Sequence, residues 1–241
     1  MKKAVNCLKY LMIGVCMMAA MTGCGSRERN AKAAELLEEK YGEKFVIDEN
    51  RGQEPMQDYY TVIAHSEEYP TIIFSAGIGT EDDSVDDTYV CERLMARMSD
   101  EMSKSMGSLK GESYIFAQGF LEYTPFDDTN ISLETFMQEF PEQEFTFYLN
   151  YVPEDGETAE DIYDGVSSMV SSIAAAKGNV AVYICDEKTL GKIQGYVESH
   201  DILYDSYNKI VEGKYAGKIQ YAGGRPVSDK NEFLKKAGEL L

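Results

Sequence analysis

Imidazole is scarce in this 241-residue chain, which holds only His65 and His200. A histidine-built zinc or copper site needs more ligands than that, and no His-Glu-x-x-His pair occurs. Carboxylates are plentiful, and Glu81-Asp82-Asp83-Ser84-Val85-Asp86-Asp87 packs five acids into seven positions, dense enough to attract calcium through oxygen ligands. With Asp82 in the first position of a calcium loop, Asp87 replaces the turn glycine and Arg93 stands where the bidentate glutamate belongs. Asp128, Asn130, Ser132 and Glu139 give a second partial match, in which Leu133 replaces the glycine. Helix chemistry accounts for both loops: Asp86 and Asp87 suit the positive start of a following helix, and Asn130 and Ser132 suit a helix entrance.

Nucleotide and nucleophile motifs fail in similar ways. Gly77-Ile78-Gly79 lacks the third glycine of a dinucleotide fingerprint, and Gly213 to Lys218 is too short for a phosphate loop and lacks its hydroxyl residue. Ser206-Tyr207-Asn208-Lys209 has the Ser-x-x-Lys spacing of penicillin-recognising enzymes but no Lys-Thr-Gly partner, and no Gly-x-Ser-x-Gly elbow exists. Paired carboxylates for glycoside hydrolysis can be drawn from 42 acids at will, so they carry no specificity. No catalytic residue, cofactor site or metal site is assigned.

The one residue with a chemical assignment is Cys24. Lys2, Lys3 and Lys9 make a basic start, and an apolar run from Tyr10 to Met21 follows. As a helix that run spans ~18 Å against a hydrocarbon core of ~30 Å, so residues 1–23 read as a cleavable export signal and not as a permanent span. Met21-Thr22-Gly23-Cys24 resembles a bacterial lipobox, although Met21 departs from the usual leucine. The resemblance implies cleavage before Cys24 and a lipid on its thiol, with the chain held at the extracytoplasmic face of the cell membrane.

Cleavage there leaves 20 basic against 42 acidic side chains. Such acidity argues against nucleic acid and against flat adsorption on anionic lipid, because like charges repel. The acids are interspersed with a 44% hydrophobic complement, which indicates a folded domain. Beyond Cys24, Cys91 and Cys185 are open to pairing or to life as buried thiols.

Pattern reading places a helix from Asn30 as N-cap to Tyr41, ended by Gly42, and strand sequence from Phe45 to Ile47. A hairpin joins Tyr59–His65 to Thr71–Ser75. Asp87 to Met106 is the strongest helix, with Cys91, Leu94, Met95, Met98 and Met102 on one face. A soft-metal or adaptable surface could use that methionine stripe, but its spacing suits a packed core. Next come a strand over Gly111–Phe120, a helix over Leu133–Phe140 and a half-buried strand over Phe145–Tyr151. Thr158 and Asp161 cap a helix striped by Ile162, Val166, Met169 and Ile173 and ended by Gly178. Val180 to Cys185 is apolar on both faces, as in a strand covered on both sides.

After Leu190 the pattern weakens to a helix over Asp201–Val211, a strand over Lys214–Ala222 and a helix over Asn231–Leu241. Tyr196, Tyr204, Tyr207, Tyr215 and Tyr221 in this part could line a glycan or peptide groove, against a reading of ordinary packing. An offset of 100 residues matches Leu36, Leu37, Glu39, Phe45 and Ile47 with Phe136, Met137, Glu139, Phe145 and Phe147. The fold expected is α+β, helices on largely antiparallel sheet, either in halves at 30–126 and 127–241 or as one continuous domain, behind a short tether at 24–29.

Lys40-Tyr41-Gly42-Glu43-Lys44-Phe45, the hairpin ending in Phe74, and Asp86-Asp87-x-Tyr89 resemble small uncharacterised lipoproteins of Gram-positive bacteria. That likeness implies a surface lipoprotein and no particular chemistry. The expected role is a non-catalytic binding or accessory module that meets the membrane through its lipid and a protein partner outside the cytoplasm. A solute-binding subunit of a transporter and a hydrolase of wall glycan or peptide are the alternatives.

Overall fold

The computed structural model describes residues 25–107, 109–117, 126–198 and 204–241. The chain parts into two compact units, one ending at Asp87 and one beginning at Thr88. The halves expected from the sequence meet near 126, where residues 118–125 lie outside the described ones. The architecture is α+β, as the periodicities require, with one sheet of four strands and one of five.

In the first unit, helix α1 (25–41) is followed by a meander of β1 (Phe45–Gly52), β2 (Tyr59–Ser66), β3 (Ile73–Gly79) and β4 (Val85–Asp87), each antiparallel to the next. The helix already runs at residue 25, so Asn30, expected as its N-cap, is an interior position whose side chain accepts from Asn50 Nδ2 at 2.7 Å. Gly42 closes it as the spacing requires, at φ 70° with its N–H bonded to Glu38 O at 2.8 Å. Alternation along β2 buries Tyr60, Val62 and Ala64 beside Phe74, Ala76 and Ile78 of β3. Asp87 is 2% exposed, and its carboxylate receives Lys40 Nζ at 3.0 Å and Tyr41 Oη at 2.8 Å. The end of α1 is thereby tied to β4.

In the second unit the strand order is β5 (Glu112–Ala117), β6 (Phe145–Val152), β7 (Lys177–Ile184), β8 (Tyr215–Ala222) and β9 (Arg225–Pro226). Among the described strands only β6 and β7 run parallel, joined by the crossover helix α4 (Ala159–Ser171). Its capping box is formed as expected, Thr158 Oγ1 accepting from Asp161 N and Asp161 from Thr158 N. Helix α2 (Tyr89–Lys104), α4 and α7 (Lys230–Gly238) pack beside one sheet face, while α5 (Glu187–Glu198) and α6 (Tyr204–Ile210) close the other. Short α3 (Leu133–Glu139) enters through Ser132, which accepts from Thr135 N.

The methionine stripe is core: Met95, Met98 and Met102 are at most 3% exposed. β7 is covered on both faces, as its unbroken apolar run indicates. β6 differs from the half-buried strand expected, since Tyr148 and Asn150 on its second face are also buried. Gly178 does not end α4 either, because α4 stops at Ser171 and Gly178 lies within β7. Helix α5 was not legible in the pattern after Leu190. Cys91 and Cys185 are both buried and are not joined in a disulfide. Among the described residues no helix is long and apolar enough to cross a membrane.

Candidate functional site

Alternation on β6 and β7 sends Tyr148 and Tyr183 to the sheet face under α5 and α6, and β5 adds Phe116. Tyr207 from α6 stands edge-on to this layer, 5.3 Å from the Phe116 ring, 5.4 Å from Tyr148 and 5.6 Å from Tyr183. Phe116 and Tyr148 are stacked at 5.1 Å. Such edge and offset contacts suit the ring quadrupoles and add to burial. One polar thread runs through the rings. Tyr207 Oη donates to Asn150 Oδ1 at 3.0 Å, and Asn150 Nδ2 donates to Tyr114 O at 3.4 Å. Burial holds the Tyr207 hydroxyl far above the usual phenol range, so it remains a donor.

Asn150 is fully buried, and removing its partner leaves an acceptor away from water. Tyr207→Phe should therefore lower stability by about 1–2 kcal/mol, read as a lower midpoint in urea. An unchanged midpoint would show that this hydrogen bond contributes nothing.

Beside this layer the second unit opens a groove of about 500 Å³. β8 supplies one wall with Tyr215, Lys218 and Gln220, and α7 supplies the other with Glu232, Phe233 and Lys236. Val227, Ser228 and Asp229 close one end. Asp229 is committed to capping α7, accepting from Asn231 N at 2.8 Å, and Glu232 is paired with Lys236 one turn on at 3.1 Å. Gly217 lets the floor close: a Cβ there would stand 3.1 Å from the Phe233 ring. Tyr215 is 46% exposed and Val227 59%, both large apolar side chains left at the rim.

Of the tyrosines singled out in the sequence, Tyr207 and Tyr221 are core residues at 2% exposure. Tyr196 packs at 6.3 Å from Tyr207, the side chain of Tyr204 lies outside the described residues, and Tyr215 alone of the five lines this groove. Lys218 and Gln220 had no signal in the sequence, because a polar residue on an edge strand looks like any solvated position. Cys24 lies outside the described residues.

The acidic loops have local uses. Asp82 accepts from Ser84 N at 3.1 Å, which lowers its carboxyl, and Asp128 accepts from Asn130 N at 2.9 Å ahead of the Ser132 cap. Among the described residues no three His, Cys, Asp or Glu converge as a metal would need. Ser206 and Lys209 both fall on α6, with the Ser206 side chain outside the described residues. Burial pushes the Glu92 carboxyl, in the first turn of α2, up to about 8, and the Cys185 thiol up to about 11. Cys185 is therefore a poor nucleophile at neutral pH.

Layers and sheets of this kind define an α+β protein with a four-stranded antiparallel sheet and a five-stranded mixed one. Among solved structures it is similar to a DUF5037 family protein from Ruminococcus gnavus ATCC 29149, with a TM-score of 0.64 at 16% identity. The match covers 87% of this chain and 98% of that one, and at this identity it speaks for the fold alone. No protein-family model and no curated protein matches the chain.

Proposed function

We propose that this protein is a membrane-anchored lipoprotein on the extracytoplasmic face, serving as a non-catalytic binding or accessory module. The observation that carries the reading is the Lys2-Lys3 start, the apolar run to Met21 and the Thr22-Gly23-Cys24 ending. Lipid adds about 0.8 kcal/mol for each CH₂ buried, so two or more acyl chains on Cys24 hold the domain durably where one would not. The open groove on the second unit supports a binding role over a purely structural one.

The test is Cys24→Ala expressed in the native host. It should accumulate as unprocessed precursor, without incorporated labelled palmitate. Correct cleavage with unchanged membrane retention would overturn the assignment.

A further inference from the structure

β9 covers β8 only at Tyr221 and Ala222. Cover extends one residue further through Val227 N–H to Gln220 O at 2.8 Å and Gln220 N–H to Ser228 Oγ at 3.2 Å. There the chain turns off into α7. Along a strand every second residue presents its N–H and C=O to the same side, so those of Lys218 point, like Gln220's, to the uncovered edge. Among the described residues no strand pairs there, and the groove runs along it.

From these features we propose that the groove takes an extended acidic peptide, which adds to the β8 edge as a further strand. The reading deepens the binding-module assignment and rests on it. Strand addition draws its affinity from backbone hydrogen bonds and its selectivity from alternate side chains. Here the open N–H and C=O of Lys218 supply the first, and the exposed Tyr215 and Val227 offer apolar contact to every second side chain of the guest.

Charge selects the acidic guest. The groove is lined by Lys218 and Lys236 and by Asp229 and Glu232, in a chain of net charge −19. Within the groove Asp229 caps α7 and Glu232 is held by Lys236, while Lys218 is exposed and has no ion pair among the described residues. A second copy pairing through the same edge would bring two Lys218 ammonium groups together, the arrangement by which edge lysines discourage self-association. A glycan could stack on Tyr215 but has no use for a strand's alternating donor and acceptor.

The test uses the full chain purified in detergent, with two labelled probes, Glu-Val-Glu-Thr-Glu-Val and Lys-Val-Lys-Thr-Lys-Val, in fluorescence anisotropy and hydrogen exchange. The acidic probe should bind more tightly and slow exchange at the Lys218 amide. Lys218→Glu should weaken it about fivefold and favour the basic probe, a size suited to reversing one exposed charge pair. Equal binding of the two probes, no protection on β8, or protection by chitotetraose in place of the acidic probe would each overturn the proposal. None of these readings depends on the lipid state of Cys24, so peptide docking and anchoring fail separately.

Discussion

Glu157→Ala should lower stability by about 2 kcal/mol at pH 7, and the loss should shrink as the solution is acidified. The Glu157 carboxylate gathers the turn between β6 and α4. It accepts from Tyr151 Oη at 2.6 Å, from Glu154 N at 2.7 Å and from Lys110 N at 3.0 Å. Tyr151 is fully buried, and its oxygen in turn accepts from Gly111 N at 2.9 Å, so one carboxylate orders the entries to β5 and α4 together. Desolvation alone would raise this carboxyl, but the three donors outweigh it and hold the group below its usual value. A depressed folded pKa means that the contribution is present above the unfolded value of about 4.3 and is lost as pH falls through the folded one. Urea midpoints of wild type and variant should therefore differ at pH 7 and converge near pH 2. A constant gap across that range would assign the cost to packing and not to the carboxylate. Tyr151→Phe should reproduce part of the effect, as it removes the shortest bond and leaves Gly111 N–H without its acceptor.

Much of this fold was legible wherever one face of an element had to be apolar. The α2 stripe, the β2–β3 hairpin and the Thr158 cap are decided by neighbours within a few residues, and local sequence reports them. β6 was misjudged because Thr146, Tyr148 and Asn150 look like a solvent face. Tyr148 and Asn150 became interior when α5 and α6 covered them, and Asn150 tolerates this through its bond with Tyr207. Helix α5 escaped notice since Gly191 and Gly195 lower helix propensity and its packing partners are distant in sequence. The groove was legible only as a hint of tyrosines. Its position follows from how far β9 runs along β8, which Pro226 and the Ser228 side chain decide, and no periodicity encodes where a strand stops short.

The cysteines make a related point. Cys91 sits on the buried α2 face and Cys185 follows a strand covered on both sides, so each is explained by apolar burial without a bond between them. At the two ends of the 100-residue offset, α1 leads into β1 and α3 into β6. The strands they feed behave differently: β1 is an edge of an antiparallel meander, and β6 is an inner strand with one parallel neighbour. Similar helix-to-strand sequence thus serves unlike positions, because the sheet around each strand is built from later segments.

Gly178→Ala should be the most damaging single methyl in the second unit, costing about 3 kcal/mol or more. Gly178 opens the parallel pairing of β7 with β6 opposite Phe145, at φ +152°. A Cβ added there would fall on the Phe145 carbonyl oxygen, with Phe145 N at 2.7 Å and its carbonyl carbon at 2.8 Å. Those are backbone atoms, so no side-chain rotation relieves the clash, and the two strands must separate at the point where their register begins. Phe145 is itself buried at 2% exposure, so a shift there also disturbs the ring packed at 5.9 Å against Phe136 of α3. Gly191→Ala provides the contrast within the same unit. It lies inside α5 with nothing near its added methyl, and should stabilise by up to ~1 kcal/mol through helix propensity. Urea denaturation of the two variants should move the midpoint in opposite directions. A wild-type midpoint for Gly178→Ala would show that β7 does not meet β6 in this register, and with it the aromatic layer and the groove wall on β8 would lose their placement.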